Sequence, residues 1–269
     1  MKKTLAVAAA LVALSGCGNR DELIKDTPDY QWTQARESYA AGRHLDAYDH
    51  LIWLVRSENP HLAQARSQLL ILQSGIARGY LELLDGYQKA RPGGASKQLQ
   101  ARIEKYREAA SEIAFRFAQT YDDLQKSQPS GEIVIPFPLP PGKLAPGAAL
   151  TKLSSGAELS EQEQEAALKQ AMERSVLRAA LEVAAGAEGE VEARTAMKQS
   201  PARIPRAVFE YGMLVGLHGA SELFAASRLA QRHQQSSLLY QARVAAGKAP
   251  EGEATSSLAA AVERGIKGE

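Results

Sequence analysis

Six of the twelve prolines in this 269-residue chain fall between Pro129 and Pro146. Proline locks φ and has no backbone N–H, so a helix cannot run through such a stretch. The segment "QPSGEIVIPFPLPPGKLAPGAALTKLSSGAELS" must be extended or polyproline-like. It is also apolar where a linker would be polar, since Ile133, Val134, Ile135, Phe137 and Leu139 all favour burial. Two readings fit: a strap packed against its own helical domain, or a segment offered to a partner's groove. On both sides of it the hydrophobic period is helical. The expectation is an all-α protein built from antiparallel helical hairpins. An N-terminal lobe spans residues 29–127, the proline-rich strap 128–158, and a C-terminal lobe 159–247.

The helical patterns are specific enough to place elements. Trp32, Ala35 and Tyr39 share a face, and Gly42 supplies a left-handed stop. Ala47, Leu51 and Leu54 form a stripe, with Tyr48, Ile52 and Val55 beside it. Asn59-Pro60 reads as a cap and first-turn pair for the next helix. A long helix follows over 61–91, ended by Arg91–Gly94. It contains Gly75, Gly79 and Gly86, each costing about 1 kcal/mol against alanine, so close contact with another helix is expected there. The cleanest stripe runs from Leu99 through Ile103, Tyr106, Ala110, Ile113 and Phe117 to Leu124. Ser160 followed by Glu163 is a capping-box signature. Ser200-Pro201 is expected to open a further helix, apolar on most sides from Ile204 to about Ala230 and therefore central in its lobe. That helix is expected to continue, more polar, to Ala246-Gly247. Gly212 and Gly216 make a G-x-x-x-G pair suited to close packing, while Glu210, Glu222 and Arg228 bracket the apolar part too tightly for a membrane span. Residues 248–269 read as a loose tail with one short helix at most.

The first helical pair resembles a tetratricopeptide repeat. Ala35 and Ala47 stand at the small positions where two helices touch, Gly42 at the turn, Leu51 at a large apolar position, and Pro60 within one residue of the closing proline. Small residues matter there because the crossing is close. Trp32 and Tyr39 are each one place off the usual aromatics, and no array repeats at a fixed period. The resemblance implies a concave face lined by inner helices. On it Tyr39, Tyr48 and Trp53, with Arg36 and Arg43 nearby, are candidate partner-binding residues, because these residue types anchor interfaces. The competing expectation is that both tryptophans belong to the core. Glu37, Asp46 and Asp49 are placed along one rim of the pair.

The only cysteine, Cys17, lies behind a basic start at Lys2 and Lys3 and an apolar run from Thr4 to Leu14. This is the layout of a secretory signal peptide and is too short for a permanent span. Leu14-Ser15-Gly16-Cys17 resembles the bacterial lipoprotein lipobox. The resemblance implies a signal peptide over 1–16, a diacylglyceryl group on Cys17, cleavage before it and acylation of the new amine. Residues 17–28 then form a tether. Gly18, where an inner-membrane retention signal would place Asp, implies the periplasmic face of the outer membrane. Each buried methylene contributes roughly 0.8 kcal/mol, so two or three chains hold a protein stably where one does not.

The charge, 32 basic against 31 acidic residues, does not favour nucleic acid as a partner. With Cys17 modified no thiol remains for a disulfide, a thiolate metal site or a nucleophile. The five histidines include no pair with the spacing of H-E-x-x-H, and His218 within its apolar helix reads as a core histidine or a buried proton-transfer group. No P-loop, Rossmann or G-x-S-x-G pattern is present. The expectation is a protein that is not an enzyme, needs no cofactor or metal, and acts as a lipid-anchored scaffold or accessory for another envelope protein. The alternative is a periplasmic small-molecule or glycan binder, even a murein-active one, with a pocket between the lobes.

Overall fold

The computed structural model describes residues 27–90, 97–198, 200–227 and 232–268. The signal peptide, Cys17, most of the tether and Arg91–Gly94 lie outside the described residues. The fold is mostly helical. The helices are α1 (Pro28–Ala40), α2 (His44–Leu54), α3 (Leu62–Lys89), α4 (Lys97–Ser127), α5 (Ala148–Ser154), α6 (Glu161–Ala185), α7 (Glu190–Ala196), α8 (Arg206–Ser227), α9 (Arg232–Ala246) and α10 (Glu253–Lys267). Two three-residue strands, β1 (Ile133–Ile135) and β2 (Ala202–Ile204), pair antiparallel with Val134 opposite Arg203.

Local chemistry sets the helix ends. Thr27 caps α1 through its hydroxyl, which accepts from the Tyr30 N–H, and Pro28 occupies the first turn. Gly42, at φ +74, reverses the chain between α1 and α2. Asn59 links two helices: its Oδ1 accepts from the His61 N–H just ahead of α3, which starts at Leu62, and its amide nitrogen donates to the Leu54 and Ser57 carbonyls at the end of α2. Ser160 and Glu163 form the expected capping box on α6.

Helix α3 is the centre of the molecule and packs against α2, α4, α5, α6, α8 and β1. Its residues from Ser67 to Ala77 are all buried. The glycines make this crowding possible. A Cβ on Gly75 would lie 2.5 Å from the Val176 Cα of α6, and one on Gly86 would lie 2.7 Å from Leu153 of α5. Across α8 the same holds: a Cβ on Gly212 would lie 2.9 Å from the Val183 Cα, and one on Gly216 would collide with Ser74 and Phe117. The α3–α6 seam carries a charged strip at its edge. Arg78 donates twice to Glu182, at 3.0 and 2.9 Å, and Arg174 donates to Glu82 at 2.5 Å and to the Leu144 carbonyl.

The proline-rich segment is packed, not presented. Ile133, Ile135 and Phe137 are buried, and the Phe137 ring lies 5.0 Å from Trp32 and 5.4 Å from Tyr39. An extended backbone inside a helical bundle needs hydrogen-bond partners that helices do not offer. β2 supplies one edge. Two polar side chains of the central helix supply the other: the Ser67 hydroxyl donates to the Val134 carbonyl at 2.6 Å, and Gln68 Oε1 accepts from the Phe137 N–H at 3.3 Å.

Helices on both sides of the strap contribute to one hydrophobic cluster running from Ala35 to Val262. Three expectations need correction. Ser200-Pro201, a cis bond, opens β2; Pro205 keeps Ile204 extended and delays the helix to Arg206. The helix expected to run to Ala246 is two helices, α8 and α9, packed against each other. The C-terminal region is also more ordered than a loose tail. Leu258, Val262 and Ile266 recur every four residues, which gives α10 an apolar stripe that packs on α8 and α9.

Candidate functional site

Two clefts lie beside α2. The first lies between α2 and α4, with a volume of about 380 Å³. Leu45, Tyr48, Asp49 and Ile52 of α2 line one wall at i, i+3, i+4 and i+7, and Arg56 follows in the turn beyond. Ala109, Glu112, Ile113 and Arg116 of α4 repeat that spacing on the facing wall. Both helices pack on α3 and leave this gap above it.

The floor is apolar: Tyr48 and Ile52 are each 9% exposed and Ile113 6%. The rim is charged. Arg116 donates to Glu112 at 3.0 and 2.7 Å. Burial and the neighbouring Asp46 and Glu112 carboxylates raise the Asp49 pKa, with the nearby His50 opposing. The Tyr48 hydroxyl is held protonated by burial, with Arg116 and Glu112 close by. The arrangement can take an apolar surface with charges at its edge.

The second cleft, about 400 Å³, lies between the α1–α2 turn and α6, lined by Gly42, Leu45, Leu168 and Met172 with Arg43 and Lys169 at its mouth. His44 lies against it, 2% exposed, and both ring nitrogens lack a hydrogen-bond partner. Burial pushes its pKa down to about 4, so the ring is neutral.

The five residues expected on a partner face do not come together. Tyr39 is a core residue, 1% exposed, and its ring meets His44 edge-on at 5.6 Å. It presents nothing to a partner, because the strap's Phe137 covers the side that the helical pattern left open. Trp53 packs partly buried against the core and does not line the α2–α4 groove. Arg36 is exposed on α1. Arg43 is exposed at the second cleft, paired with Asp46 at 3.2 Å and donating to Ser38. Only Tyr48 belongs to the groove.

The α4 wall was missed by sequence reasoning. Its spacing was visible, but the pairing of positions about sixty residues apart was not. His218 is neither solvent-exposed nor fully enclosed, and its Nδ1 lies 3.9 Å from Glu222 on the same helix. Among the described residues no group of three or more His, Cys, Asp or Glu could hold a metal, and no helix is long and apolar enough to cross a membrane.

The fold is a mostly helical one with two surface clefts beside its second helix. No family model matches the chain, and no curated protein or solved structure was found to be similar to it.

Proposed function

We propose that this chain is a lipid-anchored scaffold of the bacterial envelope, held through Cys17 at the periplasmic face of the outer membrane, and that it binds another envelope protein without catalysing a reaction. The observation carrying this reading is the α2–α4 groove: an apolar floor with a charged rim, between two helices that both pack on α3. The lipobox residues Leu14-Ser15-Gly16-Cys17 support the anchor. The tetratricopeptide-like part of the reading is supported over α1 and α2 only, where Ala35, Ala47 and Leu51 are buried and Gly42 makes the turn. α3 and α4 are about twice as long as a repeat helix and depart from it.

The test is crosslinking in cells, then affinity purification from detergent-solubilised membranes, comparing the native chain with Cys17→Ala. One partner recovered in near-stoichiometric amount, and reduced without the anchor, supports the scaffold. No specific partner, with the protein folded in the membrane fraction, rejects it.

A second reading is favoured by the cleft beside His44: a binder of small molecules or glycans. A thermal-shift panel of murein fragments and envelope metabolites tests it, because a ligand at 100 times its Kd stabilises by about 2.7 kcal/mol. A flat panel counts against it.

A further inference from the structure

We propose that the α2–α4 groove receives an amphipathic helix of the partner protein, laid along it with one ridge of apolar side chains inserted and a basic residue set against Asp49. This rests on the scaffold reading and names the kind of surface that the partner brings.

The walls favour a helix. Both are helices, whose backbone donors and acceptors are already paired internally, so an extended peptide would gain no backbone ladder there. A helix satisfies its own backbone and needs only side-chain contact. Both walls repeat at i, i+3, i+4 and i+7 over an apolar floor of Tyr48, Ile52 and Ile113, which matches a row of side chains on one helix face. A second copy of this chain setting the same groove against itself would bring two recesses together and leave the space empty. An acyl chain would cover the rim charges without pairing them, at the cost of their desolvation.

Charge sets the direction of the occupant. Asp49 and Glu112 stand on facing walls of the groove, close enough to act on each other's charge. Arg116 takes Glu112, while Asp49 forms no ion pair among the described residues. Further along α2, about two helical turns on, Arg56 also lines the groove without an ion pair among them. A helix carrying Lys or Arg over Asp49 and an acidic residue over Arg56 meets both charges; the reversed helix meets neither. The groove therefore selects orientation as well as hydrophobicity.

The experiment places p-benzoylphenylalanine at Ala109 in the groove wall and, separately, at Glu37 on the exposed face of α1, in the full anchored chain in cells. Irradiation and mass spectrometry then map the partner peptide. The expected adduct forms from position 109 and not from 37, and maps to a segment with helical apolar spacing and a Lys or Arg within it. Asp49→Lys lowers the yield about tenfold or more, and changing that basic residue of the partner to Glu restores it. Asp49→Asn, with a smaller loss, serves if the lysine variant does not fold, and circular dichroism checks both.

An adduct that maps to an extended loop, to a second copy or to lipid overturns the proposal. So does an unchanged yield in Asp49→Lys, or affinity capture of a partner without an adduct at 109; in these cases the scaffold reading stands. No partner by crosslink or by affinity capture overturns both.

Discussion

Gly75 of α3 faces the backbone of Val176 on α6 so closely that a methyl group placed on it would lie 2.5 Å from the Val176 Cα. No neighbour there is the movable end of a side chain. In an exposed helix, replacing glycine by alanine stabilises by up to about 1 kcal/mol. At Gly75 the sign reverses, since α3 and α6 must separate, and Gly75→Ala is expected to destabilise by about 1–3 kcal/mol or more. Gly219 on α8 is the internal control: nothing lies within 4 Å of its added Cβ, so Gly219→Ala is expected to leave stability equal or higher. Urea unfolding of the two variants side by side tests this, and an equal effect in both would refute the packing argument.

Ser67 is the hydrogen-bond donor to the strap's Val134 carbonyl, from a helix position where a hydroxyl has no other inter-element role. Ser67→Ala takes the donor from that part-buried acceptor, at a cost of about 1 kcal/mol. Hydrogen exchange followed by mass spectrometry is the sharper measurement. Amides of residues 133–137 are expected to lose protection before those of α3 itself. Uniform loss across both would show that the strap does not depend on this contact.

His44 makes stability depend on pH. In the unfolded chain the ring protonates near 6.5; in the fold, burial lowers this to about 4. Between these values the unfolded state binds more protons, so stability rises with pH. The contribution is complete above about pH 6.5 and is lost as pH falls towards 4, amounting to something on the order of 3 kcal/mol. Denaturation at pH 7 and pH 5 is expected to show a larger gap in the native chain than in His44→Leu. Identical gaps would mean that His44 finds a partner in solution.

Glu210 is fully buried and accepts from Tyr121 at 2.5 Å, Gln125 at 2.8 Å and Arg206 at 2.5 Å, tying the end of α4 to the start of α8. Glu210→Leu leaves the Arg206 guanidinium, 12% exposed, without its counter-charge, and is expected to cost about 3–5 kcal/mol. Adding Arg206→Leu removes the stranded charge and is expected to recover much of that loss. Additive losses in the double variant would show that the pair does not act as a unit.

Periodicity carried the sequence furthest where elements are long and regular. The stripe from Leu99 to Leu124 lies within one helix, and the capping box at Ser160 starts another. The glycines of the third helix were legible as contact points, although the neighbours Val176 and Leu153 were not. The apolar stretch after Ile204 was legible as a buried helix, whereas the place of α3 at the centre of the molecule was not: Ser67, Gln68, Gln73 and Ser74 are buried in it. Hydropathy counts such residues as surface, because it cannot see the strap backbone that Ser67 and Gln68 bond or the Thr120 hydroxyl that Gln73 bonds.

Of the candidate site, Tyr48 and the α2 stripe around it were readable as a second face. Tyr39 was not separable from it, since both are aromatic and on neighbouring helical faces; Phe137, almost a hundred residues later, decides that one is covered. Local sequence determined the helices, their caps and turns, and the exclusion of helix from the proline-rich segment, because these depend on propensities and periods within a few residues. Tertiary structure alone decided that the strap folds inward, that the two halves share one core, and that Ala109 and Ile113 stand across a groove from Tyr48 and Ile52. Such juxtapositions come from long-range packing, which no local pattern encodes.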